Sequence, residues 1–211
     1  MKDYIKRNCI PIMIEIAFII SCIIIPREYI IFTNFLFYLL LLIYFGMKKD
    51  FSFKEWWNNI KSGKSFWKQV IVTVVLFFVA FAITMILENV FSDFDTGTIP
   101  LKIGNSWLRL IIFATSTILF PAITEETFYR KNIISFKSRG VTAITTILCM
   151  LLYALEHSLT IWGMFLVMIW ALPLSIAYIK TKNIYVPMTA HFIGNLLGNG
   201  IDVIMMVILI L

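Results

Sequence analysis

The chain has 211 residues, of which 60% are hydrophobic and 14% charged. Soluble domains carry about 25% charged residues, and a chain of this length cannot hide so much apolar surface in one core. The composition therefore excludes an ordinary soluble protein and predicts a single integral membrane domain over residues 1–211. The net charge of +6 does not indicate a nucleic-acid partner, because the lysines lie at the ends of apolar runs and point to membrane lipids instead.

Continuous apolar runs predict seven membrane-spanning helices, at 9–25, 29–46, 70–87, 107–123, 141–156, 161–179 and 184–211. Backbone groups in lipid must satisfy their own hydrogen bonds, and runs without alternation do not fit barrel strands. The first run stays apolar beyond Cys22, so we interpret it as an uncleaved span and not a signal peptide. The predicted fold is an all-α polytopic transmembrane helix bundle.

Between the second and third spans, segment 51–68 mixes aromatic residues with lysines. This pattern predicts an amphipathic cytoplasmic segment at the lipid headgroups, either a plain anchor or a partner-binding surface.

Basic residues favour one side of the membrane. They precede the first span (Lys2, Lys6 and Arg7) and fill the connections 47–69, 130–140 and 180–182. If every run crosses, these regions share one side, while the acidic Glu88, Asp93 and Asp95 lie on the other. The asymmetry predicts a multi-pass protein of the cell membrane with a cytoplasmic N-terminus.

Polar and ionisable residues inside apolar runs are costly and mark functional sites. Those that stand out lie in the second half of the chain: Glu125, Glu126, Arg130, Glu156, His157, His191 and Asn195. Glu126 and Arg130 are four residues apart and can pair on one helix face. His191 and Asn195 share that spacing and can aim at one point. A lone membrane histidine usually bonds to another helix, but so many polar groups together indicate an active site.

These residues form three motifs in order. Glu125-Glu126-Thr127-Phe128-Tyr129-Arg130 matches EExxxR, Tyr153-Ala154-Leu155-Glu156-His157 is close to FxxxH, and His191-Phe192-Ile193-Gly194-Asn195 matches HxxxN. Over residues 107–200 the chain therefore resembles the CPBP family of intramembrane proteases, also called CaaX protease and bacteriocin-processing or Abi proteins. It departs from the family pattern at Tyr153, at Lys131 after the arginine, and at Glu156 beside the histidine.

The resemblance implies catalytic roles for Glu125, Glu126, Arg130, His157, His191 and Asn195. Glu125 with His157 would activate water, and His191 with Asn195 would donate to the oxyanion. Glu126 and Arg130 would be structural or would orient Glu125. Alternatively, Glu125, His157 and His191 could bind a divalent metal such as zinc. We favour the metal-free mechanism, because the His–Asn spacing is not that of an HExxH zinc helix.

The spacing also predicts how the site is placed. We expect the fourth helix to continue to about Arg139 and turn at Gly140, which would bring Glu125 level with His157. If every span crosses, His157 lies near the outer surface, too far from the other motifs. We therefore expect an irregular stretch at 158–163. We also expect a shortened sixth helix that begins after Gly163. The site would then lie between the fourth, fifth and seventh helices.

The resemblance implies an endopeptidase acting on prenylated CaaX-type proteins or on short secreted peptides. The abundance of Ile, Phe, Lys and Asn is typical of bacteria with AT-rich genomes, which favours bacteriocin self-immunity or peptide maturation. A non-catalytic membrane scaffold of the same fold is the main alternative. A small transporter is a second alternative, but it predicts inverted repeats, and the sequence shows none.

Overall fold

The computed structural model describes residues 2–211, with side chains from Arg7 onward, so the side chains of Lys2 and Lys6 lie outside the described part. Eight helices are present within this range: α1 (Lys2–Ile24), α2 (Ile30–Met47), α3 (Phe53–Ile60), α4 (Lys64–Val90), α5 (Trp107–Ile133), α6 (Arg139–His157), α7 (Ile161–Thr181) and α8 (Tyr185–Ile210). All except α3 are long and apolar enough to cross a membrane. The prediction of a multi-pass, all-α bundle is confirmed.

Helix α5 is the centre of the bundle. It packs against α1, α2, α6 and α8, and it is the most buried of the seven long helices in the described chain. By contrast, α4 packs on α7 and α8 and exposes apolar side chains such as Ile71, Val75 and Met85 on its other face. That exposed apolar face suits contact with lipid tails.

The winding of α5 changes along its length. Segments Thr115–Leu119 and Glu126–Ile133 are π-helical, and the α-helical segment Phe120–Glu125 lies between them. π-helical turns inside α-helices are uncommon and often occur at functional sites. The two neighbouring glutamates of the first motif stand at the junction of the α and π segments.

Pro121 lies just after the first π segment and has no N–H to donate to the preceding turn. Amide side chains from two other helices reach that turn instead. Asn34 Nδ2 of α2 donates to the Ser116 carbonyl at 3.4 Å, and Asn199 Nδ2 of α8 donates to the Thr117 carbonyl at 3.0 Å. Interhelical donors of this kind make a proline tolerable in a membrane helix.

The expectation that the helix carrying the glutamates continues to Arg139 is wrong. It ends at Ile133, and Ile134 is extended, with φ −69° and ψ 121°. Side chains of the next helix stabilise the break, since Thr145 Oγ1 accepts from the Ser135 N–H at 3.0 Å. Ser138 caps the start of α6 by accepting from the Val141 N–H at 3.3 Å.

The expected shortening of the sixth span is also wrong. Helix α7 begins at Ile161, because Thr160 caps it by accepting from the Gly163 N–H at 3.2 Å. Only residues 158–160 are irregular, and they pair with the connection between α4 and α5. There the Ile99 N–H donates to the His157 carbonyl and the Leu159 N–H to the Gly97 carbonyl, both at 3.0 Å.

The predicted amphipathic segment 51–68 is not one element. It divides at Gly63, whose φ of +98° is a conformation that side chains rarely adopt, and the residues after it begin α4. The remaining helix α3 buries Trp56, whose Nε1–H donates to Thr189 Oγ1 of α8 at 2.8 Å. Helix α3 is therefore fixed to the bundle by a specific contact.

Candidate active site

A cavity of about 400 Å³ opens among α2, α4, α5, α6 and α8. Four of the six predicted site residues line it, namely Glu125, His157, His191 and Asn195. The other two, Glu126 and Arg130, are fully buried and contact His191 or its partner. The fold thus gathers three motifs that are widely separated in the sequence around one space.

Glu125 is 1% exposed and has two differently placed carboxylate oxygens. Its Oε1 accepts from the Tyr38 hydroxyl of α2 at 2.6 Å. Its Oε2 lies 3.8 Å from His191 Nε2, which is too long for a direct hydrogen bond. One oxygen is therefore held by the protein, while the other is left for a ligand or a water molecule.

Glu126 holds His191 as well as Arg130. The Glu126 Oε1 atom accepts from His191 Nδ1 at 2.8 Å and lies 3.1 Å from Arg130 Nη1. Pairing of Glu126 with Arg130 was predicted from their spacing, but the contact with His191 was not. Because the carboxylate only accepts, Nδ1 carries the hydrogen, and Nε2 of His191 is the atom that faces Glu125.

His157 ends α6 and is oriented by its own helix. Its Nδ1 lies 3.0 Å from the Tyr153 carbonyl, which can only accept, so Nδ1 carries the hydrogen. In the neutral ring, Nε2 then has a free lone pair. The His157 ring also packs on the Tyr153 ring, with centroids 4.5 Å apart. This geometry leaves Nε2 able to accept a proton.

Tyr153, which replaces the phenylalanine of the second motif, keeps the packing role of an aromatic ring. The Arg130 guanidinium carbon lies 4.7 Å from the centroid of this ring, in the geometry of a cation–π contact. Arg130 Nη2 also donates to the Ala171 carbonyl of α7 at 3.4 Å. The arginine therefore connects α5 to α6 and α7 at the back of the site.

Asn195 lies one turn after His191 on α8 and is half-buried at the cavity wall. It therefore lines the same cavity as His191 and Glu125. The predicted arrangement of His191 and Asn195 toward a common space agrees with this placement.

Sequence reasoning missed the residues that support Glu125 from the other side. Tyr38 and Tyr129 form a buried hydrogen-bonded group with Glu156, which was singled out from the sequence only as the neighbour of His157, and Glu15 of α1 lies buried close to Tyr129. The tyrosines carry no signal, since aromatic residues are common in spans. Glu15 carries a signal in the sequence, because a carboxyl group within an apolar run marks a functional site.

The alternative of a metal centre has no preformed ligand set in residues 2–211, where no three His, Cys, Asp or Glu side chains converge in a way that would hold a metal ion. One ring nitrogen of each histidine is bonded within the protein, that of His191 to Glu126 and that of His157 to the Tyr153 carbonyl, and metal-ligating histidines carry the same kind of bond. The lack of a converging ligand set among the described residues is what favours chemistry by the side chains alone.

Comparison with known proteins agrees with the motifs. Residues 105–197 match the family model described as type II CAAX prenyl endopeptidase, Rce1-like. All three motifs lie inside the matched segment. No curated protein and no solved structure matches the chain. Residues 105–197 of this membrane protein are thus similar to the Rce1-like CAAX prenyl endopeptidase family, which confirms the resemblance to the CPBP proteases.

Proposed function

We propose that this protein is an intramembrane endopeptidase that hydrolyses a peptide bond in a membrane-associated protein or a secreted peptide. One observation carries the proposal. Glu125, His157 and His191 line a single cavity, with Glu125 Oε2 left without a hydrogen-bond partner in the protein and His157 bonded to the Tyr153 carbonyl through Nδ1.

The first step is activation of water. A water molecule in the cavity gives a proton to Glu125 or to Nε2 of His157, and its oxygen attacks the carbonyl carbon of the substrate. The C–O bond forms as the carbonyl π bond becomes a negatively charged oxygen. The proton held by the base then passes to the departing amine as the C–N bond breaks.

The negatively charged oxygen is stabilised by donors on α8. Asn195 donates through its amide, and His191 does so through Nε2 when the ring is protonated. Glu126 holds the His191 ring by accepting from Nδ1 at 2.8 Å, and Arg130 balances the charge of Glu126. Glu126 and Arg130 thus act through His191.

The cavity wall favours an apolar substrate. Its phenylalanine and tryptophan lining residues are Phe18, Phe77, Phe78, Phe81, Phe113 and Trp170. This lining and the CAAX prenyl endopeptidase family favour a lipid-modified C-terminal peptide as substrate. A short secreted peptide, cleaved in bacteriocin self-immunity or maturation in a bacterial cell membrane, is the second candidate. In either case the basic connections favour a cytoplasmic N-terminus.

The test is cleavage of a peptide with a farnesylated C-terminal CaaX sequence by the purified protein in detergent. Glu125→Gln and His191→Ala should each lower kcat by about 100-fold or more, since they remove the base and an oxyanion donor. The exposed Glu28→Gln is the matched control and should leave kcat unchanged. Full activity of folded Glu125→Gln would contradict the proposed mechanism, and absence of cleavage by the folded wild-type protein would favour a non-catalytic scaffold.

Metal removal tests the mechanism separately. Wild-type protein dialysed against a strong chelator should retain its activity, because the proposed activation of water and stabilisation of the oxyanion use side chains alone. Loss of activity that returns on addition of zinc would overturn the metal-free mechanism.

A further inference from the structure

Glu156 points away from its neighbour in sequence, His157, and into a pair of tyrosines. It is 4% exposed, its Oε2 accepts from the Tyr129 hydroxyl at 2.6 Å, and its Oε1 contacts the Tyr38 hydroxyl. The same Tyr38 hydroxyl lies 2.6 Å from Glu125 Oε1. A single hydroxyl from α2 therefore stands between two buried carboxyl groups.

The number of available hydrogens limits how these three groups can bond to one another. A tyrosine hydroxyl has one hydrogen, and an ionised carboxylate can only accept. Tyr38 can thus donate to only one of its two carboxyl partners, and the other contact needs a hydrogen from a carboxylic acid. One of the two glutamates, Glu125 or Glu156, must therefore be neutral for both contacts to be hydrogen bonds.

The surroundings assign the hydrogen to Glu156. Glu125 Oε2 lies 3.8 Å from His191 Nε2, whereas Glu156 contacts two tyrosine hydroxyls and forms no ion pair with a described residue. With Glu156 as the acid, every contact has a donor and an acceptor. Tyr129 donates to Glu156 Oε2, Glu156 donates to Tyr38, and Tyr38 donates to Glu125 Oε1.

We propose that Tyr38 and Glu156 are positioning residues, in which a neutral Glu156 acid holds the Tyr38 hydroxyl so that it binds Glu125 Oε1 and directs Oε2 into the cavity. The inference rests on the proposed function, because it assigns a partner to the base of that reaction. Neither residue lies in the positions that define the three motifs, and Tyr38 lies outside residues 105–197.

The proposal is tested by three variants in the farnesylated-peptide assay. In Glu156→Gln, the new amide N–H can donate to Tyr38 while the amide oxygen accepts from Tyr129, so kcat should stay near the wild-type value. Tyr38→Phe and Glu156→Ala should lower kcat by about 10-fold, the effect of losing one hydrogen bond, with KM unchanged. Tyr44→Phe is the control on α2, because its hydroxyl bonds to the Arg7 carbonyl away from the site.

Two results would overturn the proposal. Wild-type kcat in Tyr38→Phe would show that Glu125 needs no hydroxyl partner. Loss of activity in folded Glu156→Gln equal to that in Glu156→Ala would show that a charged carboxylate is required. Glu125→Gln is measured in the same assay. If Glu125→Gln is inactive, either result overturns only the roles of Tyr38 and Glu156. If Glu125→Gln is active, the proposed function itself fails.

Discussion

Residues 105–197 and residues 2–104 contribute to the site in different ways. The first region matches a known family and holds the groups assigned to react with water and substrate. The second carries no motif, yet its Tyr38 binds Glu125 and its Ile99 N–H binds the His157 carbonyl. Motifs thus mark the side chains assigned to the reaction, while the contacts that orient those side chains come from both regions.

The largest expected effect is inside the matched region. Arg130→Ala leaves the fully buried Glu126 without its cation, and removing one partner of a buried pair costs about 3–5 kcal/mol. We expect a large fall in the thermal unfolding temperature measured in detergent. The exposed Arg139→Ala should show no such fall. Similar unfolding temperatures for both variants would show that the buried ion pair does not stabilise this region.

An intermediate effect is expected where the two regions meet. Gly163 of α7 lies against the Thr96 carbonyl and the Ser158 hydroxyl, and an added Cβ would overlap both. Gly163→Ala should therefore displace the connection that binds the His157 carbonyl, at a cost of about 1–3 kcal/mol. Peptide cleavage should fall together with the unfolding temperature. Gly140→Ala, whose Cβ would meet no atom within 4 Å, is the control.

The smallest effect is expected in the unmatched region. Trp56→Phe removes the hydrogen bond to Thr189 while keeping an aromatic ring, at a cost of about 1 kcal/mol. The exposed Trp57→Phe should be neutral. Chemical unfolding in detergent can resolve this difference. If Trp56→Phe matched Trp57→Phe, α3 would be a passive connection between spans.

The spans and the Glu126–Arg130 pair could be predicted because each depends on residues close in sequence. Hydropathy locates a helix in lipid, and four-residue spacing places two side chains on one face. The contact between Glu126 and His191 could not be predicted, since it depends on how α5 and α8 pack. The breaks at 134–138 and 158–160 also depend on distant partners, such as the hydroxyl of Thr145 and the backbone of the α4–α5 connection.

Tyr38 is a site residue that the sequence alone could not identify. Nothing in its apolar surroundings along the chain distinguishes it from other tyrosines in spans, and only the packing of α2 on α5 brings it to Glu125. Glu15 was available as a signal, because a carboxyl group in the first apolar run has the same cost as those in the motifs.

Pro121 has a consequence for the alignment of α5. Asn34 and Asn199 hold carbonyls of the turn before it from two different helices. Sliding α5 along its axis or rotating it would break both bonds and leave the two carbonyls without these donors. The proline and the two amides together fix the position of α5 along its axis and its rotation about that axis. They therefore fix the depth and the direction of Glu125, which follows four residues later on the same helix.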